Sequence, residues 1–411
     1  MHFPSRSSLI IPTLTLLLLS ACGPTKVGMV HRAEAKDRMD LVNAQLGYDQ
    51  AAKSFEAGQF EKALQEINLA VERYPKESAF YLLKGRILLE THQLEPAAEA
   101  FLSAQEYDPD SHAAHYYAGI VYQRWSDDEE AFAQYQKASE LDETNAQYLL
   151  ATAESLITLH RFEAARNLIA PRLNFFEHNA AIHQLLGQIA LLENDHATAA
   201  NEYQQAHLLR PDDQVLTREL VRIQYDAGEY QQCLNSIGRM KQTEDDDQNE
   251  ILHIKAQCLF MVGRTEESRR QYLELSRRDP ADPNIWSELG AVAWELEDYQ
   301  RVALCSTRLL ALAPLRFEGH LLRGINEQHH QNNEQAVRSF QRAAELSGDS
   351  PLPHLQLGWA LEEMGRNEDA LLAYGHALER NPDHREARSL YDKLNSRIQV
   401  TAVPENDSLN P

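Results

Sequence analysis

Two stretches decide how this chain is read: "FLSAQEYDP", residues 101–109, and "YQQAHLLRP", residues 203–211. Each opens on an aromatic residue, carries alanine three residues later and closes on proline. They lie 102 residues apart, three times 34. A 34-residue ruler laid from residue 44 finds the same pattern from 78, 112, 146, 180 and 214. One extra residue falls near 241–248, after which the ruler resumes at 249, 283, 317 and 351 and ends at 384. A chain that repeats at such a period is made of supersecondary units that bury their apolar faces only by stacking.

The ten repeats agree position by position. Position 8 reads Ala51, Gly85, Gly119, Ala153, Gly187, Val221, Ala256, Gly290, Gly324 and Gly358. All but one are Gly or Ala, as close approach of two backbones demands. Position 20 is mostly small, from Ala63 and Ala97 to Ala336 and Ala370, and position 24 holds a filler such as Phe101, Tyr135, Tyr203, Tyr272, Phe340 or Tyr374. Position 32 is Pro75, Pro109, Pro211, Pro280, Pro314 and Pro382 in six repeats. Proline has no amide to continue the ladder, so it ends the second helix. Gly58, Gly228, Gly263 and Gly365 mark the turn between the two helices.

This pattern resembles the tetratricopeptide repeat over residues 44–384. The resemblance implies an all-α fold, a right-handed superhelix (α-solenoid) of about ten helix-turn-helix repeats. Repeats 4, 6 and 7 drift from the pattern, with Val221 and Cys233 larger than usual at positions 8 and 20. Residues 385–399 place Ala387, Leu390, Tyr391, Leu394 and Ile398 at helical spacing and are expected to form a solvating cap helix. Residues 400–411 are expected to be disordered. Residues 22–43 are expected to be a tether, helical from about Ala33.

At the N-terminus Arg6 precedes an apolar run, Leu9 to Leu19, interrupted by Pro12, Thr13 and Thr15. The run is shorter than the roughly 20 residues a spanning helix needs, and it suits the apolar region of a secretory signal. Leu19-Ser20-Ala21-Cys22 then resembles the lipobox of bacterial lipoproteins. That resemblance implies removal of residues 1–21 and acylation of Cys22. One acyl chain anchors only marginally, at about 0.8 kcal/mol per buried methylene, whereas two or three hold firmly. Gly23, where an Asp would favour inner-membrane retention, implies the outer membrane, facing the periplasm. A plain secretory signal with a chance cysteine is the alternative.

The formal charge of −23 argues against nucleic acid, whose phosphates call for a basic face. After signal, tether, repeats and tail, no stretch of domain size is left for a catalytic domain. The chain carries no Gly-rich phosphate loop, HExxH or GxSxG. No enzyme activity, cofactor, metal or small-molecule substrate is therefore expected. His115, His183, His320 and His354 all occupy position 4, which reads as packing within separate repeats rather than one metal site. His329-His330 reads as a solvated turn, and Glu244 to Asp247 as an exposed loop at the extra residue. Cys233 and Cys258 lie in adjoining helices and could pair in an oxidising compartment; unpaired burial is the alternative.

In the family this chain resembles, positions 2, 5, 9 and 12 of the first helix line a concave groove. Here they include Arg86, Tyr116, Arg218, Arg222, Tyr225, Phe260, Trp294, Leu355 and Trp359. Aromatics and Arg are the residues enriched at binding hot spots. Arg218 and Arg222 form the close basic pair along that line, without the matching Lys/Arg of a chaperone-type carboxylate clamp. The expectation is a membrane-anchored, non-catalytic scaffold that binds a protein or peptide partner in envelope assembly: pilus or secretion, outer-membrane or cell-wall machinery. The layout is similar to that of pilus-assembly and secretin-pilot lipoproteins. The alternative is an accessory subunit of a glycosyltransferase or other envelope enzyme, with catalysis in a separate chain.

Overall fold

The computed structural model describes residues 26–240 and 248–402, with side chains as far as 399. Cys22 and the run before it, the Glu244–Asp247 loop and the tail beyond Ala402 lie outside the described residues. Among the described residues the chain is all helical, with 21 α-helices and one 3-10 turn. It divides into two bodies, one ending at Glu193 and the other beginning at Asn194, so the division falls inside the fifth repeat.

The first body pairs α1 (Lys26–Glu56) with α2 (Phe60–Arg73), α3 (Ser78–Glu90) with α4 (Leu94–Tyr107), and α5 (His112–Arg124) with α6 (Asp128–Leu141). It continues with α7 (Ala146–Thr158), α8 (Phe162–Ile169) and α9 (Ala180–Leu192). The second body opens on α10 (His196–Leu209) and pairs α11 (Gln214–Asp226) with α12 (Tyr230–Arg239) and α13 (Gln248–Met261) with α14 (Thr265–Arg278). Then come α15 (Pro283–Glu295) with α16 (Tyr299–Leu312), α17 (Phe317–His329) with α18 (Asn333–Leu346), α19 (Leu352–Glu363) with α20 (Asn367–Arg380), and a last helix, α21 (Arg385–Ala402). Within each body every helix packs on the next, and first helices of successive repeats touch, as in α3 with α5 or α15 with α17.

Positions 8 and 24, separate in the sequence pattern, are one contact. A methyl group on Gly85 would lie 2.4 Å from the ring of Phe101; on Gly119, 2.6 Å from Tyr135; on Gly324, 2.5 Å from Phe340; on Gly358, 2.4 Å from Tyr374. Each ring is buried. Where position 8 is instead Ala51, Ala153 or Val221, position 24 is the narrower Ile67, Ile169 or Ile237. The larger Val221 is therefore accommodated rather than disruptive, and it is fully buried. Repeat 7 combines Ala256 with Tyr272, and in repeat 8 Leu322 of the next repeat fills the space over Gly290.

The turn at position 15 is left-handed in all ten repeats. Gly58, Gly228, Gly263 and Gly365 share it with His92, Ser126, His160, Asn194, Glu297 and Gln331, at φ between 54° and 77°. The following amide reaches back five residues to a helix carbonyl, as Gln59 does to Ser54 and Arg366 to Leu361. This is the Schellman closure of a helix end.

In five repeats position 4 ties the repeat to the loop before it. The Tyr81 hydroxyl and Trp286 indole donate to the carbonyls of Pro75 and Pro280, at 3.1 and 2.9 Å. His115, His183 and His320 reach the carbonyls of Pro109, Glu177 and Pro314 in the same way. His354 breaks the series. The carbonyl six residues upstream, that of Gly348, accepts from Arg380 instead, and His354 Nε2 is buried without a partner.

Three features differ from the expectation. The helix already includes Lys26, ahead of about Ala33, and runs unbroken into the first repeat, with residues 26–39 exposed. The cap helix packs through Ala387 and Leu394 and continues to Ala402, past the expected end at 399. In repeat 4 the second helix stops after eight residues, because Pro171 turns the chain into a 3-10 segment. The chain from there to Asn179 folds around the buried Phe176.

Candidate binding surface

In the first body the lining residues pack among themselves. Arg86 is half-buried, with its guanidinium 5.1 Å from the ring centre of Phe55 and 5.3 Å from that of Tyr117. Tyr116 sits among Tyr117, Tyr135 and Tyr148 at 5.0–5.7 Å, and its hydroxyl accepts from Gln147 at 2.7 Å. Burial pushes the Tyr116 hydroxyl above its ordinary pKa. Glu154 on α7 keeps an exposed surface, yet crowding by surrounding protein raises its carboxyl as well.

The second body gathers its first-helix aromatics into two recesses. One is a cavity of about 210 Å³ between α11 and α15. Tyr225 and Phe260, both expected at the surface, line it with Tyr230, Gln257, Met261, Tyr272 and Glu288. Glu288 accepts from Gln257 at 3.0 Å and is paired with His253. The hydrogen bond to Glu288 raises the His253 imidazole. Burial raises the Tyr272 and Tyr225 hydroxyls, and Glu288 adds to both.

The other recess, about 710 Å³, lies along α15, α17 and α19. Trp294 and Trp359 line it with Tyr299, Gln328, His329, Gln356 and Glu363. Trp359 remains 40% exposed, an unusual state for a tryptophan and one that leaves its face free for contact. The His329 ring stacks on Tyr299 with centroids 3.6 Å apart. Leu355, expected beside Trp359, is buried in the core instead.

The expected basic pair is not two open charges. Arg222 grips Glu250 of the next repeat through two hydrogen bonds of 2.6 Å, which hold the Glu250 carboxyl below its usual range. Arg218 is half-buried and donates to the Gln214 carbonyl at 3.4 Å. Cys233 and Cys258 are free thiols in one buried cluster with Val221 and Ile254. Their mutual hydrogen bond and burial push the Cys233 thiol up.

Glu288 and Tyr272 were not legible as site residues. Glu288 is at position 6 and Tyr272 at position 24, outside the positions that line the groove in this family. Among the described residues no group of three or more His, Cys, Asp or Glu could hold a metal ion, and no helix is long and apolar enough to cross a membrane.

A family model described as "Tetratricopeptide repeat" matches residues 329–394, and another of the same description matches 47–106 and 82–146. A "TPR repeat-containing protein" of Treponema pallidum (strain Nichols) is 23% identical over 328 residues, covering 74% of this chain and 33% of that protein. The chain thus spans about a third of the length of that curated relative. Among solved structures, a tetratricopeptide repeat protein from Parabacteroides merdae aligns with TM-score 0.42 and 12% identity, over 61% of this chain and 98% of that one. Naa15/Naa10 bound to HypK-THB aligns with TM-score 0.41 and 14% identity, over 86% and 66%. The stretches 47–146 and 329–394 are thus tetratricopeptide repeats, a module suited to scaffolding protein–protein interactions, and the same hairpin recurs between them.

Proposed function

We propose that this chain is a lipid-anchored scaffold of the bacterial cell envelope, which holds a protein or peptide partner on the first-helix faces of its repeats. The observation that carries the binding half is the gathering of Tyr225, Phe260, Trp294 and Trp359 into two recesses of the second body. Partly exposed aromatics in recesses are the usual anchors of an interface. Support for the anchoring half comes from the order of Arg6, the apolar run, Ser20, Ala21 and Cys22. Gly23, where an Asp would favour inner-membrane retention, supports a place at the outer membrane, facing the periplasm. The partner would then belong to envelope machinery such as pilus, secretion, outer-membrane or cell-wall assembly, and any catalysis to the partner.

The test has two arms. Cys22→Ala should release the protein from the membrane fraction; firm retention would sink the anchor. A photo-crosslinking residue placed at 225 or 359 should capture a discrete partner, while one at Leu372, exposed on α20, should not. Capture that is equal at all three positions, or absent at 225 and 359, would sink the binding surface.

A further inference from the structure

We propose that the recess between α11 and α15 is a pocket for a single lysine or arginine side chain, presented by the partner polypeptide. The proposal rests on the scaffold reading above and specifies the chemistry of one of its contacts. Four rings, Tyr225, Tyr230, Phe260 and Tyr272, bound the recess, and Glu288 supplies its carboxylate. Aromatic faces carry the negative end of the ring quadrupole and attract a cation within about 6 Å of the centroid.

The carboxylate selects for charge. His253 and Gln257 each take one oxygen of Glu288. The Tyr272 hydroxyl also hydrogen-bonds to this carboxylate; with roughly four acceptor directions, one remains for a further donor. No Lys or Arg is among the residues that line the recess. The nearest cation on α11, Arg222, is engaged by Glu250. The negative ring faces disfavour an anion. A neutral apolar group would strip water from the carboxylate without replacing its hydrogen bonds, which is costly.

Size narrows the occupant further. A cavity of about 210 Å³ takes one long side chain. It is too small for a helix, which is about 10–12 Å across. Met261, 56% exposed at the rim, offers a flexible and polarisable wall along the aliphatic stem. The net charge of −23 adds long-range attraction for a basic partner segment, without choosing this pocket.

Methyl NMR of the full chain, labelled at methionine and assigned through Met261→Leu, reads the pocket directly. The probes are the N-acetyl N-methylamides of lysine, arginine and norleucine. The expected result is a saturable shift of the Met261 methyl with lysine and arginine and none with norleucine. Glu288→Gln should weaken lysine binding at least about five-fold, while Glu295→Gln, exposed two turns further along α15 and outside the recess lining, should change it less than about two-fold. Equal shifts with norleucine would overturn the proposal, since the recess would then be a plain apolar dent. Equal losses for the two glutamate variants would overturn it too, since only general charge would be at work. The norleucine comparison needs no variant and so stands whatever Glu288→Gln does to folding. If lysine binds as stated but crosslinks at 225 and 359 capture nothing, the scaffold reading fails and the pocket stands. If crosslinks capture a partner and lysine does not bind, only the pocket fails.

Discussion

Replacing Gly85 by alanine sets two effects of known size against each other. Inside an ordinary helix alanine is favoured over glycine by about 1 kcal/mol. Gly85 lies in the middle of α3, so propensity alone would stabilise the variant. Packing opposes it. The new methyl would lie 2.4, 2.6 and 2.7 Å from three carbons of the Phe101 ring, about 1 Å inside ordinary carbon contact. Phe101 is fully buried and stacked on Tyr117 at 5.7 Å, so the ring cannot swing aside and α3 must part from α4. Overpacking of a core costs about 1–3 kcal/mol. Set against the propensity gain, this leaves a net loss of about 0–2 kcal/mol. Phe101→Ile should make room, recreating the pairings Ala51 with Ile67 and Ala153 with Ile169. The double variant should then be less destabilised than the two singles added, by about 1 kcal/mol or more. Because repeat arrays open in segments, amide hydrogen exchange across α3 and α4 is the direct assay, with urea unfolding beside it. Increased protection in Gly85→Ala, or single-variant energies that simply add, would refute the reasoning.

Two further outcomes follow from the turns and from the orphaned imidazole. Glu297 holds a left-handed backbone at φ 54°, and Glu297→Gly should raise stability by about 0.5–1 kcal/mol in thermal unfolding, since glycine adopts that conformation without steric cost. Burial, then Arg380 and His376, lower the His354 pKa. The stability associated with neutral His354 is therefore complete above the unfolded value of about 6.5 and is lost as pH falls through it toward the folded value. Urea unfolding at pH 7.5 and 5.5 should show a loss of at most about 1.4 kcal/mol per pH unit from this group, and His354→Phe should flatten that slope; an unchanged slope would contradict the assignment.

The period of the chain was legible because equivalent residues in every repeat meet the same neighbour. Gly85 and Phe101 repeat together since they touch, as do Gly358 and Tyr374. The turns were only partly legible. Four glycines advertise the left-handed position, whereas His92 or Gln331 adopts it under the constraint of helices on both sides and carries no sequence signal. The break after Ile169 was announced by Pro171, but a 34-residue ruler counts residues and is blind to where a helix ends. The helical stretch ahead of Ala33 was hidden because residues 26–39 are exposed and so show no periodic buried face. At the surface, Tyr225 and Phe260 could be placed by position, since a first-helix register fixes which way they face. Glu288 could not: a lone acidic residue at an unremarkable position reads as solvated surface until His253, Gln257 and Tyr272 are seen around it.

The sulfurs of Cys233, Cys258 and Cys305 are fully buried, and burial pushes the Cys305 thiol up to about 12. An alkylating reagent needs an exposed thiolate, so each sulfur is reached only when the helices around it come apart. Cys233 and Cys258 report on α12 and α13, and Cys305 on α16. Labelling rates under native conditions therefore time two openings within the second body. Matching rates would mark one cooperative block, and a faster Cys305 would mark peeling from the C-terminal end. The protein carries its own stopwatches, set at two depths in the stack, and they run without any introduced cysteine.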